Sequence, residues 1–248
     1  MSKVSETWRS PRLERDITLV RYGEVGHPVL FFPTAAGDAE EAERFLLIDA
    51  LSELLGAGRI KLYSVDSVAG MAWLKENNST KAASHIQNQF VEAVYHEVVP
   101  AIRSDCGADD LEIIATGPSI GAFNALACIC RHPDAFASAI CMSGTYDLRK
   151  FFEGEPTAEY YAASPLHFVP KMKDGEHLDK LRERFILITH GEGKWEDPAE
   201  SWRVADVLGK RGIPNRVDPW GKEYDHDWPT WRHMLPKYLE ELLPAEVS

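Results

Sequence analysis

The sequence predicts an α/β protein whose mainly parallel, twisted sheet is covered by helices on both faces. Apolar runs of strand length alternate with amphipathic runs along most of the chain, which is the pattern of repeated strand–helix units. Strands buried on both faces are expected to be apolar throughout, as several of these runs are. The 248 residues, 44% of them hydrophobic, suffice for one large core, so a single domain over 1–248 is expected.

The individual elements are assigned from period, length and punctuation. Helices show apolar positions at helical spacing; one has Pro198 in its first turn and Gly212 at its end. The predicted strands are 16–23, 27–32, 60–67, 111–117, 136–144, 184–191 and 215–220. The predicted helices are 40–58, 83–106, 120–133, 198–212 and 228–243.

Residues 145–183 break this alternation because they are long, mixed in composition and punctuated by prolines. A stretch of this length between sheet strands is typical of a lid or binding insertion. Several aromatic residues could line an apolar acyl or aryl pocket, or could instead pack the lid onto the sheet. They are Trp73, Phe151, Phe152, Tyr160, Tyr161 and Trp195.

Charge and composition exclude several classes of function. The net charge of −12, without a basic cluster, argues against binding to nucleic acid or to anionic membranes. The first twenty residues contain no apolar signal core and no apolar run is long enough to span a bilayer, so the cytoplasm is the expected location. The oligomeric state stays open, a homo-oligomer included.

The four cysteines have no metal-ligand spacing and are expected to be reduced and chemically inert. They are Cys106, Cys128, Cys130 and Cys141.

The segment GPSIG at 117–121 carries the first indication of chemistry. It lies between a buried strand and a helix, where the chain must turn sharply and place Ser119 in a strained conformation. Gly117 and Gly121 leave room for the close approach of strand and helix, and the helix N-terminus favours negative charge beside the serine oxygen. This pattern is the nucleophile elbow G-x-S-x-G.

A serine nucleophile requires a base, usually histidine, and the base requires an orienting carboxylate. After a nucleophile elbow these residues follow along the chain in the order serine, acid, histidine. Two histidines, His226 and His233, lie beyond the strand at 184–191. His226 falls in the loop between the last strand and the last helix, whereas His233 already lies inside that helix. We therefore expect His226 to be the base.

The acid is expected in the segment EGKWEDP that follows strand 184–191. Glu192 leaves the strand at once, and Asp197 is well placed to cap the following helix. Glu196 stands where the loop should pass beneath the histidine, and it is the favoured acid. Asp147, after the preceding strand, is a further candidate.

An oxyanion hole requires backbone N–H groups from two places. One is expected from Ile120, the residue after the nucleophile. The other is expected from Ala35 or Ala36, in the small, glycine-containing loop PTAAGD that follows strand 27–32.

Taken together, five segments resemble the esterase branch of the α/β-hydrolases, which includes esterase D (S-formylglutathione hydrolase) and the feruloyl esterases. The resemblance implies an α/β-hydrolase fold, Ser119 as nucleophile and His226 as base. The serine mechanism itself requires no metal or organic cofactor, and none is expected. Lys194 stands about where many members carry the acid, so Glu192, Glu196 and Asp197 all stay open. The segments are FFPTAAGD at 31–38, ATGPSIGAFNAL at 115–126, HPDAFASAICMSGTYDL at 132–148, YYAASPLHFV at 160–169 and HDWPTWRHMLPKYL at 226–239.

The function expected from this pattern is hydrolysis of a small-molecule carboxylic ester through an acyl-enzyme on Ser119. Two alternatives remain open. An acyltransferase or thioesterase would use the same acyl-enzyme, and a non-catalytic binding protein would keep the fold without the chemistry.

Overall fold

The computed structural model describes residues 2–75, 79–152 and 154–243. Its centre is an eight-stranded sheet in the order β1-β2-β4-β3-β5-β6-β7-β8. The six strands from β3 to β8 run parallel, while β1 and β2 are antiparallel to their neighbours. The prediction of a mainly parallel α/β sheet is therefore confirmed.

The strands of this sheet are short, as is usual for a twisted parallel sheet. They are β1 (Lys3–Ser10), β2 (Arg15–Tyr22), β3 (His27–Phe31), β4 (Ile60–Val65), β5 (Ile113–Pro118), β6 (Phe136–Met142), β7 (Phe185–His190) and β8 (Asn215–Pro219). The helices are α1 (Glu41–Arg44), α2 (Leu47–Ala50), α3 (Ser52–Gly56), α4 (Val68–Leu74), α5 (Thr80–Ala93), α6 (Val99–Cys106), α7 (Ile120–Arg131), α8 (Ala158–Ala163), α9 (Pro165–Phe168), α10 (Glu176–Arg182), α11 (Pro198–Lys210) and α12 (Trp228–Leu242).

Two hydrophobic clusters show that helices cover both faces of the sheet. One cluster includes Phe90 of α5, Phe123 of α7 and Leu208 of α11. The other includes Leu54 of α3 and Leu239 of α12. The sheet is thus the shared wall of two apolar layers, which is why its central strands are apolar on both sides.

Strand β1 was not predicted, because its side chains are mostly polar and exposed. It pairs with β2 along its whole length, from Lys3 opposite Tyr22 to Ser10 opposite Arg15. An exposed edge strand has no buried face to impose an apolar pattern, so the sequence contains little signal for it.

The single helix predicted over 40–58 is wrong. The chain there forms three short helices, interrupted at Leu46, whose φ of 61° is left-handed. At this break the ring of Phe45 stacks on Trp228, with 4.8 Å between centroids. Tertiary packing overrides the local helical pattern, which extends unbroken through the segment.

The long helix predicted over 83–106 is present and begins earlier, at Thr80. Between α5 and α6 it passes through one π-helical stretch, Val94–Val98, without leaving the helical path. Pro100 is the second residue after this stretch, and its ring nitrogen has no hydrogen to donate to the preceding turn. The wider π turn is consistent with this missing donor.

The carboxyl ends of β5, β6 and β7 lie side by side at one edge of the sheet. Pro118 pairs with Met142, and Met142 pairs with Thr189. The residues that follow these strands are therefore brought close together whatever their separation in sequence. In the described residues, no helix is both long and apolar enough to cross a bilayer.

The insertion at 145–183 contains short helices from α8 to α10. The Glu200 carboxylate of α11 accepts the backbone N–H groups of Tyr146 and Asp147, each at 2.8 Å, which anchors the start of the insertion. Whether this segment acts as a lid remains a prediction.

The free cysteines provide a test of the packing. Cys128, Cys130 and Cys141 are buried, whereas Cys106 is half-buried. Burial raises the pKa of Cys141 to about 12 and holds those of Cys128 and Cys130 well above the usual range.

We expect a thiol reagent such as DTNB to titrate one thiol in the folded protein and four after unfolding in urea. The variant C106S should show none when folded; rapid reaction of more than one thiol in the native wild type would contradict this packing.

Candidate active site

Ser119 occupies a strained junction between β5 and α7. Its φ of 57° and ψ of −120° lie outside the regions that a serine normally adopts. The backbone is held on both sides: Ser119 N–H donates to the Met142 carbonyl at 3.0 Å, and Thr145 N–H donates to the Ser119 carbonyl at 3.1 Å. The conformation is thus imposed by contacts with the end of β6.

The two glycines of the elbow are required by the loop that follows β3. A Cβ at Gly117 would lie 2.4 Å from the Phe32 carbonyl oxygen, and one at Gly121 would lie 2.1 Å from the same atom. A Cβ at Gly117 would also meet the backbone of Gly121 at 2.8 Å. Strand, helix and loop therefore meet at one point that has no room for a side chain.

The loop after β3 is fixed by a buried carboxylate. Glu41, only 6% exposed, accepts hydrogen bonds from the Thr34 N–H at 2.7 Å and from the Thr34 hydroxyl at 2.6 Å. Burial raises the pKa of Glu41, while both bonds from Thr34 oppose the shift. Sequence reasoning missed Glu41, which has the pattern of an ordinary helical glutamate.

The expected oxyanion donors lie around this junction. Ala35 and Ala36 form a turn, closed by the Gly37 N–H donating to Thr34 at 3.0 Å. In the part of the chain that the structure describes, neither alanine amide has a hydrogen-bond partner. Ile120 is the first residue of α7, so its N–H has no acceptor within the helix.

His226 lies in a loop that is bound to the segment after β7. Its N–H donates to the Lys194 carbonyl at 2.9 Å, and the Gly193 N–H donates to the Tyr224 carbonyl at 3.0 Å. The Asp225 carboxylate accepts the Lys194 N–H at 2.7 Å. The two segments therefore position each other.

The structure brings His226 and Glu196 together. The imidazole Nδ1 is 3.7 Å from Glu196 Oε2, and the Glu196 side chain is 2% exposed. Among the described residues no hydrogen bond joins the Ser119 hydroxyl to His226. The proximity of His226 and Glu196 is thus a geometric finding, while their roles and the pairing of Ser119 with His226 stay predictions.

The other candidate acids have different surroundings. Asp197 caps α11 by accepting the Ala199 N–H at 3.2 Å, and Glu192 is exposed. Asp147 pairs with Arg149, whose guanidinium holds the pKa of that carboxyl well below its usual range. His233, the alternative base, is exposed on α12.

Ser143 contacts Glu196 directly, and Trp231 is linked to Glu196 through Ser143. Neither residue was predicted from the sequence as part of the site. The Ser143 hydroxyl is 2.5 Å from Glu196 Oε1, and the Trp231 indole N–H donates to Ser143 Oγ at 3.0 Å. The Trp231 ring also lies edge-on to His226, with 5.2 Å between centroids. The signals were the motifs MSG and WPTW, which the sequence reading used only as marks of resemblance.

Four of the six aromatic residues expected around the substrate have contrasting surroundings. Trp73, Phe152 and Tyr160 pack together with centroid separations of 5.3 to 6.3 Å, and Trp73 donates to buried Gln87 at 3.1 Å. Trp195 is instead 88% exposed, beside Glu196.

No group of three or more His, Cys, Asp or Glu side chains within the described ranges could hold a metal ion.

Comparison with known proteins identifies the family. The sequence model of the family described as Putative esterase matches residues 66–242, well over half of the chain. The chain belongs to this family. It is an esterase, as the sequence motifs predict. No curated protein sequence is significantly similar to this member of the esterase family.

Solved structures with low sequence identity share the fold of this esterase. A ferulic acid esterase superposes with a TM-score of 0.71 at 18% identity, covering 98% of this chain and 97% of its own. An S-formylglutathione hydrolase from Agrobacterium tumefaciens gives 0.70 at 15%, covering 97% and 95%. MPT51 (FbpC1) from Mycobacterium tuberculosis gives 0.73 at 16%, covering 98% of each chain. The predicted α/β-hydrolase fold and the resemblance to esterases are confirmed.

The close approach at the elbow predicts a large penalty for Gly121→Ala. The added methyl would overlap the Phe32 carbonyl, so we expect the free energy of unfolding to fall by about 2 to 4 kcal/mol. Urea denaturation followed by circular dichroism measures the change. Gly209→Ala is the matched control: it lies in exposed helix with no atom within 4 Å of the added Cβ, and should be neutral or stabilising by up to about 1 kcal/mol. Equal stability of the two variants would exclude the close approach.

Proposed function

We propose that this esterase cleaves a small-molecule carboxylic ester through an acyl-enzyme on Ser119, with His226 as base and Glu196 as the acid. The observation that carries the proposal is the strained conformation of Ser119 at the glycine-flanked turn between β5 and α7. A backbone strained at this position and held by neighbouring strands is typical of a nucleophile presented at the edge of a sheet.

Acylation begins when His226 removes the hydroxyl proton of Ser119 as the serine oxygen attacks the ester carbonyl. The carbonyl π bond opens, and its electron pair forms an oxyanion. As the tetrahedral intermediate collapses, the C–O bond to the alcohol breaks and His226 returns the proton to the leaving oxygen. The alcohol departs, and the acyl group remains on Ser119.

Deacylation repeats these steps with water. His226 removes a proton from the water as it attacks the acyl carbonyl, and then returns the proton to the Ser119 oxygen as the ester bond breaks. The carboxylic acid is released and the enzyme is restored, so water is the co-substrate and no oxidant is required.

The oxyanion is proposed to bind the N–H of Ile120 and that of Ala35 or Ala36. The free amides in the turn after β3 and at the start of α7 support this role, because donors held in place cost little reorganisation during the reaction. Glu41 contributes indirectly by holding Thr34, the residue before the two alanines.

Glu196 is the proposed acid because its carboxylate is buried and lies nearest to the imidazole. A carboxylate at Nδ1 stabilises the imidazolium that forms in both half-reactions and leaves Nε2 for the serine. Asp197 is used as a helix cap and Glu192 is exposed, so neither is placed as Glu196 is.

Replacement of the nucleophile tests the proposal directly. We expect S119A to reduce kcat for p-nitrophenyl acetate by about 10⁴-fold or more, since only binding and oxyanion donors would remain. A fluorophosphonate probe should label folded wild type on Ser119 and leave S119A unlabelled, as shown by peptide mass spectrometry. Undiminished turnover by S119A would refute the mechanism, and failure to label active, folded wild type would do the same.

The choice of acid is tested by comparing two neighbouring carboxylates. We expect E196Q to lower kcat by about 10² to 10⁴-fold, because the amide cannot stabilise an imidazolium in the same way. D197N should change kcat less than about threefold, since asparagine is also a good helix cap. The reverse order of the two variants would assign the acid to Asp197.

A further inference from the structure

Ser143 lies where the nucleophile segment, the acid and the histidine loop meet. It directly follows β6, is 2% exposed and has a left-handed φ of 47°. Its N–H donates to the Thr189 carbonyl of β7 at 2.7 Å. The backbone of Ser143 is therefore held in a left-handed conformation by its surroundings.

The chemistry of its two partners fixes which way the Ser143 proton points. The Trp231 indole nitrogen can only donate, so Ser143 Oγ must accept that bond. An ionised Glu196 can only accept, so the hydroxyl proton must point to Oε1, 2.5 Å away. One oxygen of Glu196 is thereby occupied by Ser143, and the other faces His226 Nδ1 at 3.7 Å.

The same short segment also holds the nucleophile. The Met142 carbonyl accepts the Ser119 N–H, and the Thr145 N–H donates to the Ser119 carbonyl. Trp231, which donates to Ser143, lies edge-on to the imidazole of His226. Residues 142–145 therefore contact the nucleophile by backbone and the acid by side chain.

We propose that Ser143 is a positioning residue of this esterase, whose hydroxyl orients the Glu196 carboxylate toward His226 with Trp231 holding the hydroxyl in place. The inference rests on the proposed function, because Glu196 must be the acid for its orientation to matter. Without the Ser143 donor, the buried Oε1 loses a charge-assisted hydrogen bond and the carboxylate is free to turn away from the imidazole.

Substitution of Ser143 leaves unchanged the charged and titratable groups around His226 and Glu196. Asp225 and Asp227 flank His226 in its own loop, and Lys194 contacts the loop through its backbone. Buried Tyr146 lies close to both Glu196 and Glu200 of α11: burial raises the pKa of Tyr146, and Cys141 and the two carboxylates raise it further. A change in pH dependence on replacing Ser143 would therefore report on the orientation of Glu196.

The test is S143A in the full-length protein. We expect kcat for p-nitrophenyl acetate to fall by about 10- to 100-fold with KM changed less than about twofold, since the lost bond acts on the reacting groups and not on substrate binding. The acid limb of the pH profile of kcat/KM should move to lower pH, because a carboxylate turned away stabilises the imidazolium less. The rate of fluorophosphonate labelling of Ser119 should fall in parallel.

Matched variants separate orientation of the acid from damage to the fold. S64A removes another fully buried serine hydroxyl, which has no partner in the described residues, and should leave kcat unchanged. S143G also lacks the hydroxyl but accepts the left-handed backbone, so it should match S143A in rate. In the E196Q background, S143A should cost less than about threefold, since Ser143 acts through Glu196.

Three outcomes would overturn the proposal: unchanged kcat and pH profile in S143A, wild-type activity in S143G, or a full additional loss in the E196Q background. These results are distinguishable from failure of the proposed function. If wild type neither hydrolyses the ester nor is labelled on Ser119, the esterase mechanism itself fails. If wild type is active and labelled but S143A behaves like it, only the role of Ser143 fails.

Discussion

The site depends on the approach of the Phe32 carbonyl to the turn between β5 and α7. This oxygen lies where a side chain at Gly117 or Gly121 would have to be placed. The approach requires glycine at both positions, brings the loop after β3 against the nucleophile turn, and leaves Ser119 in a conformation it would not adopt alone. Two backbone hydrogen bonds, one to Met142 at the end of β6 and one from Thr145, hold Ser119 in this conformation.

Three buried carboxylates give the loops around this turn their shape. Glu41 accepts hydrogen bonds from Thr34 in the loop after β3. Glu196 accepts one from the Ser143 hydroxyl after β6, and Glu200 accepts two from the first backbone N–H groups of the insertion. A buried carboxylate is costly unless hydrogen-bonded, so each favours the one loop conformation that supplies its donors. The buried polar groups at the edge of the sheet thus fix the loop conformations, and one of them, Glu196, is also proposed to take part in the reaction.

The central sheet could be predicted from sequence because its signal is local. Strands buried on both faces are apolar runs, and the helices between them have a clear period. The predictions failed where a non-local contact decided the conformation. The helix expected over 40–58 breaks at Leu46, beside the stacking of Phe45 on Trp228, and β1 depends on pairing with β2. The periodicity of the sequence does not indicate an exposed edge strand, and it does not show where tertiary contacts interrupt a helix.

The sequence by itself determined the fold class, the esterase family and the special position of Ser119, because a glycine-flanked serine between a strand and a helix is a local pattern. Chain order narrowed the candidate base to His226 and His233, the loop position favoured His226, and Glu192, Glu196 and Asp197 stayed open as candidates for the acid. Only the tertiary structure placed Glu196 beside the imidazole, assigned Asp197 to a helix cap and brought Ser143 and Trp231 to the carboxylate. These contacts join residues from separate loops, and their geometry is decided by the register of neighbouring strands, which no short segment of sequence contains.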